Sequence, residues 1–435
     1  MNRLTRSSVV WIFLSILAIP AYSETIAIVG ADIHTLSERG SVRNGTLVIR
    51  DGIISEIVAG EVKPEGARII DGQGKVLSPA MFHVVSQLGL TEVSAETSTV
   101  DGRSGGAPAS AAFELSAAVN PRSSVLGVAR SEGVAYAQIV PSLDALPEPL
   151  LHVVPIAGSA SIIHLGSSEG FLVKKHSAVL AVLGSQGGAL VGGSRALAIS
   201  RLEKALQDAA DFAADETLFR NGEGRELILP IDDLTVLANV LNGSIPLLVA
   251  VDRTSDIRAV LSLAKRHSIQ LVLLGGAEAW RVADEIAQAN AGVVIEPQRN
   301  LPNSFDSLDA HMANAARLVA AGVKVAIGES NSHNAGNLKQ SAGNAVANGM
   351  PWIDGLAAIT SVPAELFGLG DSLGKLRIGQ AATLVLWDGD PLELNSFADQ
   401  VFINGKAMQS PSRQQLLRDR YLKQDPALPP AYRLP

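Results

Sequence analysis

The sequence predicts an α/β protein: a (β/α)8 TIM barrel with a small composite β-sandwich built from both ends of the chain. Three observations carry this. The middle of the chain alternates short, wholly apolar runs with amphipathic helical stretches, and strands apolar on both faces belong to a parallel sheet covered by helices. Both ends read instead as short strands with Asn-Gly and Asp-Gly turns. At 435 residues the chain is long enough for a barrel plus a smaller domain.

Residues 1–23 stand apart from the fold. Arg3 and Arg6 form a basic start, residues 9–19 (VVWIFLSILAI) an apolar stretch, and residues 21–23 (AYS) a small-x-small cleavage site. This is the pattern of a signal peptide, too short to span a bilayer comfortably, and it predicts a mature start at Glu24. The chain contains no cysteine, hence no disulfide and no lipoprotein anchor. The expected location is therefore periplasmic or secreted, in soluble form. The formal net charge is −8, and Lys and Arg occur in nothing larger than short pairs, so no nucleic-acid surface is indicated. Aromatic residues make up 4%, which weighs against a carbohydrate cleft or a base-stacking surface.

Residues 24–77 give the first part of the sandwich, with turns at Asn44-Gly45 and Asp51-Gly52. Residues 373–409 give the second, with a hairpin at Asn404-Gly405. Between them, 78–372 form the barrel. Its strands are expected at 133–141, 151–158, 245–251, 270–274, 292–295 and 323–327, and its helices at 194–212, 255–267, 277–289 and 308–321. Residues 410–435 read as one helix followed by a Pro-rich tail. GSQGG at 184–188 and VGGS at 191–194 lack the spacing of a dinucleotide fingerprint. GGSRAL at 192–197 has the wrong flanks for a serine nucleophile elbow.

The most informative stretch is 75–90, KVLSPAMFHVVSQLGL, which follows a Gly-rich β segment. It resembles the start of the barrel in the amidohydrolase superfamily, in its imidazolonepropionase-like secreted branch, where the text is G-K-x-V-x-P-G-L-I-D-x-H-x-H-L-G. The resemblance continues through PLLVAVDRTSDI (246–257), QLVLLGGAEAW (270–280) and VKVAIGESNSHNAGNL (323–338), and is tightest over 341–393. Thr383 stands where Asp is usual.

In that family two histidines close the first strand, a third follows near position 250, a fourth near 275, and an Asp after the last strand holds metal and takes the proton from water. Here those places fall on Val85, Gln87, Ala250, Gly275 and Ser330. Val, Ala and Gly offer no lone pair, a Gln carbonyl is a poor ligand for Zn²⁺, and a Ser hydroxyl has no useful basicity near neutral pH. Lys174 and Lys175 lie about where some relatives carry a carboxylated lysine, and read better as a surface charge pair. Glu329, beside Ser330, is a weaker substitute for the missing Asp.

Among the histidines, His34 and His267 fall on the β domain and a helix, His152 and His164 on apolar strands, and His311 on an exposed helical stretch. Only His83 and His333 lie at strand ends. The resemblance thus implies hydrolysis of non-peptide C–N bonds, cyclic amides or dipeptide-like substrates. The ligand positions imply instead a degenerate, metal-free binding or partner subunit, working with a homologous active amidohydrolase or as a homo-oligomer. No cofactor is expected on that reading. A rearranged Zn²⁺ site is the alternative, using His83, Gln87, Asp252 and His333, with Asp252 or Glu278 as the third ligand beside the two histidines. Asp252 also reads as a cap for the helix near Ser255, and Glu278 as a first-turn carboxylate. A purely structural subunit, docking through its tail, is a third reading.

Overall fold

The computed structural model describes residues 24–103, 110–142, 153–299, 301–329, 335–408 and 413–422. The signal-peptide segment, His152, Ser330, His333 and the Pro-rich tail lie outside the described residues.

The chain opens with β1 (Thr25–His34), β2 (Ser41–Arg50), β3 (Ile53–Ala59), β4 (Arg68–Asp71) and β5 (Val76–Pro79), and closes with β14 (Leu384–Trp387), β15 (Ala398–Ile403) and β16 (Lys406–Met408). These form one sheet in the order β16-β15-β14-β5-β1-β2-β3, with β4 on β1. The two chain ends join where β14 runs antiparallel to β5, from Leu384 opposite Pro79 to Trp387 opposite Val76. An Ile53–Ala381 bridge curls the sheet on itself, so the two layers of the expected sandwich are one continuous sheet. Ile28, Ile33, Leu47, Ile49, Leu77, Leu386 and Phe402 fill its core. The Asn404-Gly405 turn, with φ of 49° and 78°, packs so closely on Gly52 that a Cβ at Gly405 would lie 2.2 Å from the Gly52 Cα. Only glycine fits there.

The second sheet takes β6 (Met81–Ser86), β7 (Val134–Ile139), β8 (Ile156–His164), β9 (Leu172–Val182), β10 (Leu247–Val251), β11 (Leu271–Gly275), β12 (Gly292–Ile295) and β13 (Val325–Ile327) in sequential order. A parallel bridge between Val84 and Gly328 brings the two edges together into a nearly closed barrel. The parallel rule is broken once: β8 runs antiparallel to both neighbours. The strand expected at 151–158 therefore begins later and turns directly into β9. Periodicity does not reveal β9, because Lys174, Lys175 and His176 interrupt its apolar run.

The helices are α1 (Ser124–Ser131), α2 (Gly184–Leu190), α3 (Arg195–Ala214), α4 (Glu216–Arg220), α5 (Ile231–Leu241), α6 (Thr254–His267), α7 (Ala283–Gln288), α8 (Asn314–Ala320), α9 (Asn337–Ala347), α10 (Trp352–Ala358), α11 (Ser361–Leu366) and α12 (Arg413–Leu422). Those expected at 194–212 and 255–267 are α3 and α6. The one at 277–289 is split into a 3-10 turn (Ala279–Val282) and α7, and the one at 308–321 is shortened to α8. Among the described residues no helix is long and apolar enough to cross a membrane.

Trp387 fastens the two domains. It is 1% exposed, its Nε1 donates to Ser78 Oγ at 2.9 Å, and its ring lies against Gly133, where a Cβ would come within 2.6 Å of Cη2. Truncation leaves a cavity and removes the hydrogen bond that the Ser78 hydroxyl accepts. Trp387→Ala is expected to lower the unfolding free energy by about 3–5 kcal/mol, read by urea denaturation. An unchanged midpoint would refute the fastening role.

Candidate functional site

In a barrel of parallel strands the C-terminal strand ends share one rim, where side chains from distant sequence positions converge. A cavity of about 460 Å³ opens there, a volume suited to a small molecule. Val85 and Gln87 reach it from the end of β6, Ala250 and Asp252 from β10, and Leu274 and Gly275 from β11. Leu180 of β9, Val140 after β7 and Ile295 of β12 complete an apolar floor. The polar wall carries Asp252, Glu296, Arg299, Asp306 and His311.

Four of the positions matched to metal ligands, Val85, Gln87, Ala250 and Gly275, thus meet at one cavity. Three of them present no donor atom. The fourth, Gln87, donates its amide nitrogen to the Val140 carbonyl at 2.5 Å and packs against Gly102. Val85 takes a left-handed backbone, φ 57°, strained for a β-branched residue.

Asp252 is set by the turn after β11. Its Oδ1 accepts from the Ala277 amide at 3.0 Å, and a Cβ on Gly275 would lie 2.6 Å from that oxygen, so Gly275 (φ 92°) leaves room for the carboxylate. Burial pushes its carboxyl above the ordinary range; the Ala277 amide opposes this, Asp306 and Glu278 reinforce it, and Arg299 opposes it. The cap expected of Asp252 belongs to Glu278 instead. Arg253, at the N-cap position of α6, makes no side-chain cap. Glu278 reaches across to accept from the Thr254 amide and hydroxyl, both at 2.9 Å, and from the Asp309 amide at 3.2 Å. Burial would raise its carboxyl, but these hydrogen bonds outweigh it and hold it below the usual value. Its place is therefore structural, serving α6 rather than the 3-10 turn that follows it.

His83 does not reach the cavity wall. It is fully buried in β6, and neither ring nitrogen has a hydrogen-bond partner. Burial lowers its pKa to about 4, which keeps it neutral. The structure therefore does not bring His83 to Asp252 as the rearranged site would need. Lys174 donates to the Phe367 carbonyl at 2.9 Å, and Lys175 pairs with Glu114 at 3.7 Å. Lys174 is near the start of β9, eight residues before the strand's cavity end, so a carboxylated lysine there would be remote from the site.

Three features escape sequence reading. His311, expected on an exposed helix, lines the cavity; its Nδ1 accepts from the Ala313 amide at 2.9 Å and its ring meets Trp280. Asp306 accepts from the Ser185 amide and from Arg195, which also pairs with Asp256, so a cross-linked charge chain ties the 301–308 segment to α2, α3 and α6. Ser159 Oγ lies 2.7 Å from His176 Nδ1, with Glu114 nearby. Ser159 is fully buried, so this trio fastens β8 to β9 and is closed to substrate. Only the resemblance marked the cavity; spacing alone gives no signal for His311 or Asp306.

Zn²⁺ needs about three nitrogen, sulfur or carboxylate ligands. Among the described residues no group of three or more His, Asp or Glu side chains is placed to hold a metal ion. Among the described residues Asp252 and the Gln87 amide are the donors beside Val85, Ala250 and Gly275, and that set does not fit zinc.

The fold and the rim cavity define the class, a TIM-barrel protein with a small-molecule-sized cavity at the C-terminal strand ends. Residues 257–408 match the model of the Amidohydrolase family. It is similar in structure to an amidohydrolase from Thermotoga maritima MSB8, with a TM-score of 0.77 and 22% identity over 89% of this chain and 100% of that one. A prolidase solved with N-methylphosphonate-L-proline gives 0.53 at 15% identity, over 89% of this chain and 100% of that one. Molinate hydrolase gives 0.53 at 17%, over 89% and 95%. At these identities the likeness shows the fold alone. In sequence, 59 residues are 42% identical to the amidohydrolase tasK of Hapsidospora irregularis, spanning 14% of this chain and 6% of that protein.

Two outcomes follow. Asp252→Asn keeps an acceptor for the Ala277 amide and removes a charge the fold holds at a cost. A carboxyl whose folded pKa is raised weakens the fold where it is ionised, and the penalty vanishes once pH drops below its unfolded value near ~3.9. The variant is therefore expected to melt higher than the parent near neutral pH, and to lose that advantage as pH falls toward the unfolded value. Glu278→Ala strands the Thr254 and Asp309 amides and is expected to cost about 2–3 kcal/mol in urea unfolding.

Proposed function

We propose that the protein is an exported, metal-free member of the imidazolonepropionase-like branch, with its hydrolytic activity lost, acting as a small-molecule binding module or as a partner subunit of an active relative. One observation carries this reading: Val85, Gln87, Ala250 and Gly275, matched to metal ligands by three separate stretches of sequence, meet at a single rim cavity. An alignment slip would scatter such positions around the barrel. Their convergence supports the matching, and the residues found there cannot bind zinc.

The backbone at Val85 adds support. Histidine is among the residues that tolerate a left-handed conformation, whereas valine resists it. A shape suited to the older residue persists under the newer one. The cavity itself remains open, so the scaffold is spared while the chemistry is withdrawn. Fold alone argues for hydrolysis, but the site must decide function.

A rearranged hydrolytic site is the competing reading, and Asp252 at the cavity wall is what favours it. Against it stands His83, buried away from the wall with both nitrogens unpartnered. Metal analysis of the mature protein after dialysis, with and without added Zn²⁺, separates the two. We expect well under one equivalent retained per chain. About one tightly held equivalent would overturn the metal-free reading.

A further inference from the structure

We infer that the rim cavity binds a small organic cation, an ammonium or amidinium group carried on an apolar body, with Asp252 as its counter-ion. This rests on the metal-free reading above. Asp252 spends one oxygen on the Ala277 amide, and among the described residues it has no ion pair and no partner for the other oxygen. The remaining carboxylates at this rim are engaged. Asp306 pairs with Arg195, and Asp256 with Arg195 and Arg253. Glu296 pairs with Arg299 at 2.5 Å. Asp252 is thus the carboxylate left to the cavity.

The floor beneath it fixes what the cation is attached to. Val85, Leu180, Ala250 and Leu274 offer no hydrogen-bonding side-chain atom. A sugar or a polar acid placed there would leave buried groups unpaired, whereas an alkyl or aryl body buries apolar surface at a gain. A charge-assisted hydrogen bond from an ammonium or amidinium to a half-buried carboxylate is stronger than a neutral one. An anion in the same place would meet Asp252 head-on, so sign as well as shape selects.

The test uses the mature full chain, with benzamidine and benzylamine as probes and benzyl alcohol and benzoate as neutral and anionic controls, followed by calorimetry near neutral pH. Saturable one-to-one binding of the two cations is expected, with benzyl alcohol at least about tenfold weaker and benzoate silent. Asp252→Asn should abolish cation binding while keeping the Ala277 contact. Ala250→Met, which narrows the floor and leaves Asp252 intact, should weaken it too. Equal binding of benzyl alcohol, or unchanged binding by Asp252→Asn, overturns the inference. The same samples are assayed for zinc. Metal-free protein that ignores both cations overturns the cation inference alone; one equivalent of retained zinc overturns the underlying reading and this one together.

Discussion

Strand direction is the constraint from which the site follows. Because β9 to β13 run parallel, and β6 and β7 run with them, their C-terminal ends fall on one rim. The Val84–Gly328 bridge brings that rim round until β6 and β13 are neighbours. Residues more than 150 positions apart, such as Val85 and Ala250, then face the same cavity. The antiparallel β8 does not disturb this, because β9 runs opposite to β8 and so in the same direction as β10. Much of the chemistry of the rim depends on what the strand ends place there.

The carboxylates of the rim are held by backbone amides. In a metal site the carboxylates and imidazoles at strand ends are held by the cation. Here Asp252 leans on the Ala277 amide, Glu278 on the amides of Thr254 and Asp309, and Asp306 on the Ser185 amide. Each bond satisfies a donor at a helix start or turn that would otherwise be orphaned. The carboxylates thus stabilise the local structure of the rim. Arg195, placed between Asp306 and Asp256, supplies a fixed positive charge in the same neighbourhood.

The fold was legible in the sequence to the extent that local pattern decides it. Apolar runs flanked by amphipathic helices gave β10 to β13 and α6 nearly at their true bounds, and Asp51-Gly52 and Asn404-Gly405 marked hairpin turns of the terminal sheet, whereas Asn44-Gly45, expected as a turn, lies inside β2 and pairs with β1 and β3. The β8–β9 hairpin was not legible. β9 carries Lys174, Lys175 and His176 in its first half, so its period resembles a loop until residue 177, and only pairing with β8 makes it a strand. The site was legible only by resemblance. The motif places Val85, Gln87, Ala250 and Gly275, but His311 and Asp306 come from an irregular segment whose path over the rim is set by tertiary contacts.

The exchange of roles between Asp252 and Glu278 shows why position alone misleads at such a site. Both sit beside a helix start, and local rules assign each to the nearer one. In the folded chain each carboxylate crosses to its neighbour's turn: Asp252 to the turn after β11, Glu278 to the first turn of α6. The crossing is possible because Gly275 has no Cβ and adopts φ 92°, which lets the Asp252 carboxylate lie over the turn. A Cβ at 275 would lie 2.6 Å from that oxygen. The bare backbone at Gly275 and the anchoring of Asp252 therefore depend on each other, and any side chain placed there would displace the carboxylate from the turn.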